Sequence, residues 1–409
     1  MSSKKRQVRR SALKEPVFLR YFPASWFSSL GSWMVRFLLG WSAWEITHSA
    51  SWVGLTAALM LGPVFVLSPL FGIVSDRINP RHGLVISMLV HACIALAGGA
   101  SMLAGIFDLP LLMMLALALG AATSWHTPMR LALIPVLVCR EALPSAVGLS
   151  AMTFNTARIL GPAAGAWLLE IRNVADAFFI GMLMFVISAA ILVGLRGVGS
   201  RTPREREPLA AQFRAGLRYV RHSEGLRLIF ALTMVNGLLG RTAIELLPAL
   251  NGFLLGAGSS ELATLTASAG VGSIVGGLVL TRQHADNSRL FHLVSLSVLL
   301  AALLLLTLEI ATDLWRLAFL ILLLSLFTTV AGTACQTITQ LSVHEDYRGR
   351  VVSLWTLAAM GSPAFGAALI GALAEVWGFI SVLVFTGIAG VIVMAWLYTR
   401  RGRLASLSV

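Results

Sequence analysis

Charge is scarce in this chain of 409 residues: Asp, Glu, Lys and Arg make up 12% of it, against about 25% in ordinary soluble domains. Hydrophobic residues make up 57%, and the stretches 53–75 and 317–343 carry no charge at all. A soluble fold would have to bury nearly every helix on all sides, which a chain of this size cannot do. Cysteine is scarce too. Cys93, Cys139 and Cys335 lie far apart and form no disulfide or metal-binding pattern. A Gly-x4-Gly-Lys-Ser/Thr loop is missing, which excludes ATP as the direct driver. The run "GVGSIVGG" at 270–277 mimics a dinucleotide loop but follows no strand, so it reads as a small-residue helix face. No catalytic set, metal site or cofactor motif emerges, and the chain does not read as an enzyme.

What is present is a succession of apolar runs. About 20 residues at 1.5 Å each cross a hydrocarbon layer. Twelve segments meet that length: 20–45, 51–73, 84–106, 109–128, 145–169, 175–196, 225–251, 260–281, 290–310, 314–338, 350–374 and 378–399. Backbone in lipid must bond internally, so these are helices. The alternation of a membrane barrel is absent. The first segment is too long for a cleavable signal and lacks a small-residue cleavage site, so it stays as a helix. The fold class is an all-α membrane protein.

The basic residues orient it. Lys4, Lys5, Arg6, Arg9, Arg10, Lys14 and Arg20 precede or open the first segment. Eight more arginines lie from Arg196 to Arg227, around the one long connection. The other even-numbered connections and the C-terminus supply Arg77, Arg81, Arg130, Arg140, Arg282, Arg289, Arg348, Arg350, Arg400, Arg401 and Arg403. The opposite loops hold only Arg172 and Arg316, beside acids such as Asp108, Glu170 and Glu375. By the positive-inside rule both termini are cytoplasmic and the chain is a multi-pass protein of the inner membrane. The net charge of +13 follows from topology and anionic lipid rather than nucleic acid, for which no binding motif is present.

The long connection divides the chain. A cytoplasmic tail (1–19) precedes a six-helix bundle (20–196). A linker (197–224) leads to a second six-helix bundle (225–399) and a tail (400–409). Within the linker, Phe213, Leu217 and Val220 fall on one side of a possible helix and Arg214, Arg218 and Arg221 on the other. That suits either a helix at the cytoplasmic interface or a flexible basic linker. "GIVSDR" at 72–77 and "GLVLTR" at 277–282 repeat at half the chain length. Faint symmetry between halves is typical of transporters, whose substrate site lies between the halves near the membrane midplane.

"GIVSDRINPRHGL" at 72–84 resembles the loop 2–3 signature of the major facilitator superfamily, Gly-x3-Asp-Arg-x-Gly-Arg-Arg. Gly72, Asp76, Arg77 and Arg81 match it; Asn79 and Pro80 depart. The resemblance implies a cytoplasmic latch between halves. Gly148, Ala157, Gly161, Pro162, Gly165 and Ala166 resemble the superfamily's antiporter signature on helix five. This implies a tightly packed wall between the halves that limits leakage and goes with export. "SSLGSW", "EITHSASWVGL", residues 123–169 and "RGRVVSL" resemble the macrolide-efflux and enterobactin-exporter branch of drug:proton antiporters. Where that branch carries Asp after the glycine of "SSLG", this chain has Ser32. The implied architecture is a monomeric major facilitator fold of twelve helices in two six-helix bundles.

Three arginines remain deep in the apolar segments: Arg36, Arg158 and Arg241. A charge at mid-membrane costs at least about 2.5 kcal/mol, so such residues face the interior. On helix one, Ser25, Ser29, Ser32 and Arg36 form a polar stripe, with Trp26, Trp33, Phe37 and Trp44 beside it as packing or interface aromatics. Arg158 either ties helix five to its neighbours or binds substrate. On helix seven, Arg241 and Glu245 lie one turn apart. They form a self-neutralised pair, or Glu245 carries the coupling proton. His48, His91 and His126 read as packed, hydrogen-bonded histidines. The expected substrate-binding set is Ser29, Ser32, Trp33, Arg36, Arg158, Asn236 and Arg241, and the gating set adds Arg348 and Arg350 to Gly72, Asp76, Arg77, Arg81, Gly161, Pro162 and Gly165. The reading is a proton-coupled efflux transporter working by alternating access, with an anionic small molecule such as a siderophore as cargo. A broad drug pump is the alternative within transport, and a non-transporting sensor or scaffold is the alternative outside it.

The topology has a direct test. In a cysteine-free background, single cysteines at 205 and 346 are expected to react with impermeant maleimide only when the cytoplasmic side is opened. Those at 108 and 258 are expected to react from outside. The reverse pattern overturns the orientation.

Overall fold

Asn79 and Pro80, the two departures from the loop signature, have a local purpose in the computed structural model. Asn79 caps helix α3 (Pro80–Leu103), its side chain accepting from the Arg81 N–H at 3.0 Å, and Pro80 takes the first helical position. An Asn cap followed by proline satisfies the orphan donors at a helix start and presets its backbone.

The structure describes residues 11–139, 141–195, 209–256, 258–281 and 287–399. Before α3 come α1 (Pro16–Thr47) and α2 (Ala50–Arg77); after it come α4 (Leu109–Leu137), α5 (Leu143–Ile171) and α6 (Val174–Gly194). A short helix, α7 (Leu209–His222), precedes α8 (Glu224–Asn236), a π turn (Gly237–Arg241), α9 (Thr242–Glu245) and α10 (Leu247–Leu255). Then follow α11 (Ser259–Thr281), α12 (Asn287–Leu306), α13 (Leu314–Leu341), α14 (Glu345–Trp377) and α15 (Phe379–Thr399). Among the described residues there is no strand.

Among the described residues, ten helical stretches are long and apolar enough to cross a membrane. Helices α1 and α5, of 32 and 29 residues, are long enough but not among them. Their serines, Asn155, Arg36 and Arg158 lower their hydropathy. With these two, all twelve expected segments are helical. The lipid-facing exterior is apolar: Trp315, Phe319, Phe385 and Ile392 are all exposed. Such a surface is a liability in water and a requirement in lipid.

The chain gathers into two compact units. One holds the described parts of Met1–Leu38, Val66–Phe107 and Ala118–Arg204; the other holds Leu39–Phe65, Asp108–Leu117 and the described parts of Glu205–Val409. In the first, α5 closes on α1. A Cβ added at Gly161 would lie 2.7 Å from the Trp33 Cβ and 3.1 Å from the Leu30 carbonyl oxygen, and one at Gly165 would lie 3.0 Å from the Phe37 ring. The helix passes through Pro162 without a break. The close approach that the small residues allow is therefore between α5 and α1, within a single unit.

In the second unit, the end of α1 and the start of α2 pack on α10 and α14. Trp44 meets Phe253 edge to face at 4.9 Å. A Cβ at Gly371 would lie 2.6 Å from the Ala50 carbonyl oxygen, so α2 and α14 cross backbone to backbone. Glu375 on α14 accepts from the Ser49 hydroxyl and, at 3.4 Å, from the Ser51 N–H. A carboxylate at the N-terminus of α2 also meets the positive end of that helix dipole.

Two glycines of the helix-five signature differ in their surroundings, because nothing lies within 4 Å of a Cβ added at Gly148. Gly161→Ala is expected to lower the melting temperature of the detergent-solubilised protein by the cost of overpacking, about 1–3 kcal/mol. Gly148→Ala is expected to leave it unchanged or raise it by the helix-propensity gain, about 0.5–1 kcal/mol. Equal shifts would show that the α1–α5 approach does not matter.

Candidate functional site

Trp33 is half-buried in the first unit. Two guanidinium groups lie over its ring, with Cζ of Arg36 at 5.8 Å and Cζ of Arg158 at 5.7 Å from the ring centroid. Phe154 meets the same ring edge to face at 5.5 Å, and Cζ of Arg130 lies 5.6 Å over Phe154. Helix periodicity explains the gathering. Phe154, Arg158 and Gly161 follow one another at i, i+4 and i+7 on α5, so the face that carries the ring and the cation also carries the glycine that lets α1 approach. On α1, Leu30, Trp33, Met34 and Phe37 form the opposing ridge. A cation over an aromatic face contributes about 0.5–2 kcal/mol, more when desolvated. Arg158 is buried, so it stands at the favourable end of that range.

Polar groups flank the cluster. On α1, Ser29 is buried and Ser32 half-buried. On α4, His126 precedes Arg130 by one turn. Ser87 on α3 places its Oγ 3.4 Å from Nδ1 of His126 and 3.5 Å from Nδ1 of His91. His91 Nδ1 lies 2.8 Å from the Ser87 carbonyl oxygen, which assigns the proton to that nitrogen. The Arg130 Nε is buried and, among the described residues, has no hydrogen-bond acceptor. An unsatisfied donor on a cation is costly, so this position has unused capacity for an anionic oxygen.

In the second unit, the seventh apolar segment, made of α8, the π turn, α9 and α10, is interrupted. The π turn ends at Arg241, α9 makes a single turn to Glu245, and the backbone breaks at Leu246 before α10. The Thr242 hydroxyl donates to the Gly237 carbonyl at 2.9 Å, satisfying an acceptor of the widened turn. Arg241 and Glu245 are both half-buried. Asn236 donates from Nδ2 to the Thr328 carbonyl on α13 at 3.1 Å, while its buried Oδ1 has no donor among the described residues. Wide turns inside helices recur at functional sites because they free backbone groups and re-aim side chains.

The description "Transmembrane secretion effector" fits a family model that matches residues 9–406. The chain belongs to that family. It is accordingly a membrane transporter of the major facilitator fold and not an enzyme. Among its relatives is the staphyloferrin A transporter of Staphylococcus aureus, 22% identical over 384 residues, covering 92% of this chain and 94% of the relative. The enterobactin exporter EntS of Escherichia coli is 26% identical over 370 residues, covering 88% of this chain and 85% of the exporter. The fold is shared with a bacterial homologue of the human lysosomal transporter Spinster, at TM-score 0.72 and 15% identity over 96% of this chain and 98% of that one.

Within this family member, the expected site residues are dispersed between the units. Trp33, Arg36 and Arg158 come together; Asn236, Arg241 and Glu245 lie in the other unit. The side chains of Gly72, Asp76 and Arg77 lie outside the described residues. Arg81 caps α6, donating from Nε to the Leu192 carbonyl at 2.8 Å and from a terminal nitrogen to Val193. A cation there satisfies the orphan carbonyls of a helix end and meets its negative pole. Arg348 is exposed, and Arg350 lies 5.4 Å over the Tyr347 ring.

The sequence ends the fourth apolar segment near 128 and places Arg130 in the connection after it. Helix α4 instead continues through Pro128 and Pro135 to Leu137, which places Arg130 inside it and against Phe154. Phe154, which hydropathy does not distinguish from its apolar neighbours, joins it there. A 3.6-residue projection of α5 through Arg158 was the available signal for it.

The central ring is expected to couple energetically to its cations. Trp33→Leu, Arg36→Met and the double variant define a cycle whose interaction energy should be about 0.5–2 kcal/mol. Thermal unfolding of the detergent-solubilised variants measures it. Strict additivity would mean that the stacking contributes nothing.

Proposed function

We propose that this transporter exports an anionic small molecule, of the siderophore or acidic-metabolite kind, from the cytoplasm by alternating access. The observation that carries the reading is the arginine–aromatic cluster. Arg36, Arg130 and Arg158 gather around the two flat faces of Trp33 and Phe154. Guanidinium forks match carboxylate and other paired oxygens bidentately. The rings supply flat apolar surface beside them. A lipophilic cation would meet like charge in such a cluster, which disfavours the cargo of many drug pumps. The relatives named for staphyloferrin A and enterobactin support the same class of cargo.

Direction and driving force follow from charge. With the cytoplasmic side marked by its basic loops, an inside-negative potential pushes an anion outward by about 2.3 kcal/mol per charge per 100 mV. Proton coupling adds to this through Glu245, since Ser32 cannot carry a proton. Export against proton entry requires Glu245 to be deprotonated while cargo is carried outward and protonated on the return, so proton and cargo occupy the carrier in alternate halves of the cycle. Asn236, Ser29 and Ser32 contribute neutral hydrogen bonds, and the latch residues Asp76, Arg77 and Arg348 control closure. The protein acts as a monomer in the inner membrane with both termini in the cytoplasm.

Proteoliposomes separate these parts. Arg36→Ala and Arg130→Ala should each weaken binding of enterobactin or staphyloferrin A about ten-fold, the size of one charge-assisted hydrogen bond, and leave a neutral lipophilic drug unaffected. Glu245→Gln should abolish transport driven by a pH gradient while transport driven by membrane potential persists. Equal losses for acidic and neutral compounds remove the anion preference, and normal pH-driven transport by the Gln variant removes Glu245 from the coupling.

A further inference from the structure

Helix α7 carries three strips around its axis. At 100° per residue, Gly216 and Val220 fall together, then Phe213 and Leu217, then Arg214, Arg221 and Arg218. The first strip packs on α14. A Cβ at Gly216 would lie 3.0 Å from Leu354 and 3.3 Å from the Arg350 carbonyl oxygen, and Val220 is buried. The second strip is exposed, Phe213 at 49% and Leu217 at 41%. The third is exposed as well. Among the described residues, the three arginines enter no ion pair, whereas nearby Arg227 is paired with Glu224 at 3.2 Å.

Two exposed apolar side chains beside a row of exposed arginines form the profile of a helix lying in a membrane interface. The apolar strip suits the acyl boundary, and the arginine strip lies at the level of the headgroups. The helix is also tied to the start of α14. Tyr219 stacks on Tyr347 at 4.9 Å and 25°, its hydroxyl accepts from the His344 N–H at 3.3 Å, and Arg350 lies over the other stacked ring. His344 is the N-cap of α14.

We propose that α7 binds anionic phospholipid headgroups through Arg214, Arg218 and Arg221 with Phe213 and Leu217 inserted beside them, and that Tyr219 transmits this hold to the start of α14. The occupant is a lipid surface rather than a free phosphate, because the arginines form a row along an apolar edge instead of converging on one point. Each arginine near an anionic surface adds about a five-fold preference. The leaflet is the cytoplasmic one if the orientation proposed above holds; the binding itself does not depend on the cargo or on the direction of transport.

Hydrogen–deuterium exchange of the full-length protein in nanodiscs tests this. Exchange over 213–222 should be several-fold slower in phosphatidylcholine mixed with phosphatidylglycerol than in phosphatidylcholine alone, and raised salt should erase the difference. The triple variant R214Q/R218Q/R221Q should show no lipid difference while keeping the wild-type melting temperature, since all three side chains are exposed. Segment 344–352 should slow in parallel, and Tyr219→Ala should abolish that second effect while sparing the first. Equal exchange in both lipids, or a lipid effect that the triple variant keeps, overturns the headgroup site. Slowing by inorganic phosphate in phosphatidylcholine nanodiscs overturns the lipid assignment. A parallel effect at 344–352 that survives Tyr219→Ala overturns the transmission.

Discussion

A cation inside a membrane needs a partner that is not water, and the first unit is organised around that need. Trp33 provides it twice, holding Arg36 from its own helix and Arg158 from α5. Everything that lets this happen is local and small. Gly161 removes the side chain that would separate α1 from α5, and the helical repeat turns Phe154 and Arg158 toward the same neighbour. Each stack contributes only about 0.5–2 kcal/mol. An arginine at the membrane centre costs at least about 2.5 kcal/mol, so the stacks, the protein interior and the further interactions of Arg36 and Arg158 act together.

The second unit meets a different constraint. A helix that must bend without losing backbone hydrogen bonds can do so through a wide turn followed by a break, and Gly237–Leu246 has both. Thr242 compensates the first and Pro248 stands just past the second, where its missing N–H costs little. Both units thus place their charged residues where regular helix packing is interrupted or thinned: a glycine contact in one, a π turn in the other.

Much of this was readable from residue order alone. Apolar runs of sufficient length gave twelve helices because lipid allows little else. The small residues of helix five announced a close approach, and the alternation of Phe213, Leu217 and Val220 with arginines allowed α7 as one of two readings, the other being a flexible linker. What could not be read has physical causes. Pro128 resembles a helix terminator, yet α4 runs on through it, because a membrane helix can re-satisfy the freed carbonyl. The role of Arg81 depends on where the end of α6 lies in space, more than a hundred residues away in sequence. The π turn leaves no mark in hydropathy, since Gly-Leu-Leu-Gly fits a regular helix equally well.

The low hydropathy of α1 and α5 bears on how the chain is made. The ribosome adds roughly 5–20 residues per second. Arg36 and Arg158 are separated by 122 positions (158 minus 36), so about 6–25 s pass between their synthesis. During that interval the helix that will share Trp33 with α1 does not yet exist, so the contacts that α5 makes with this neighbour of Arg36 come only later in synthesis. Assembly of this bundle is a matter of timing as well as of packing.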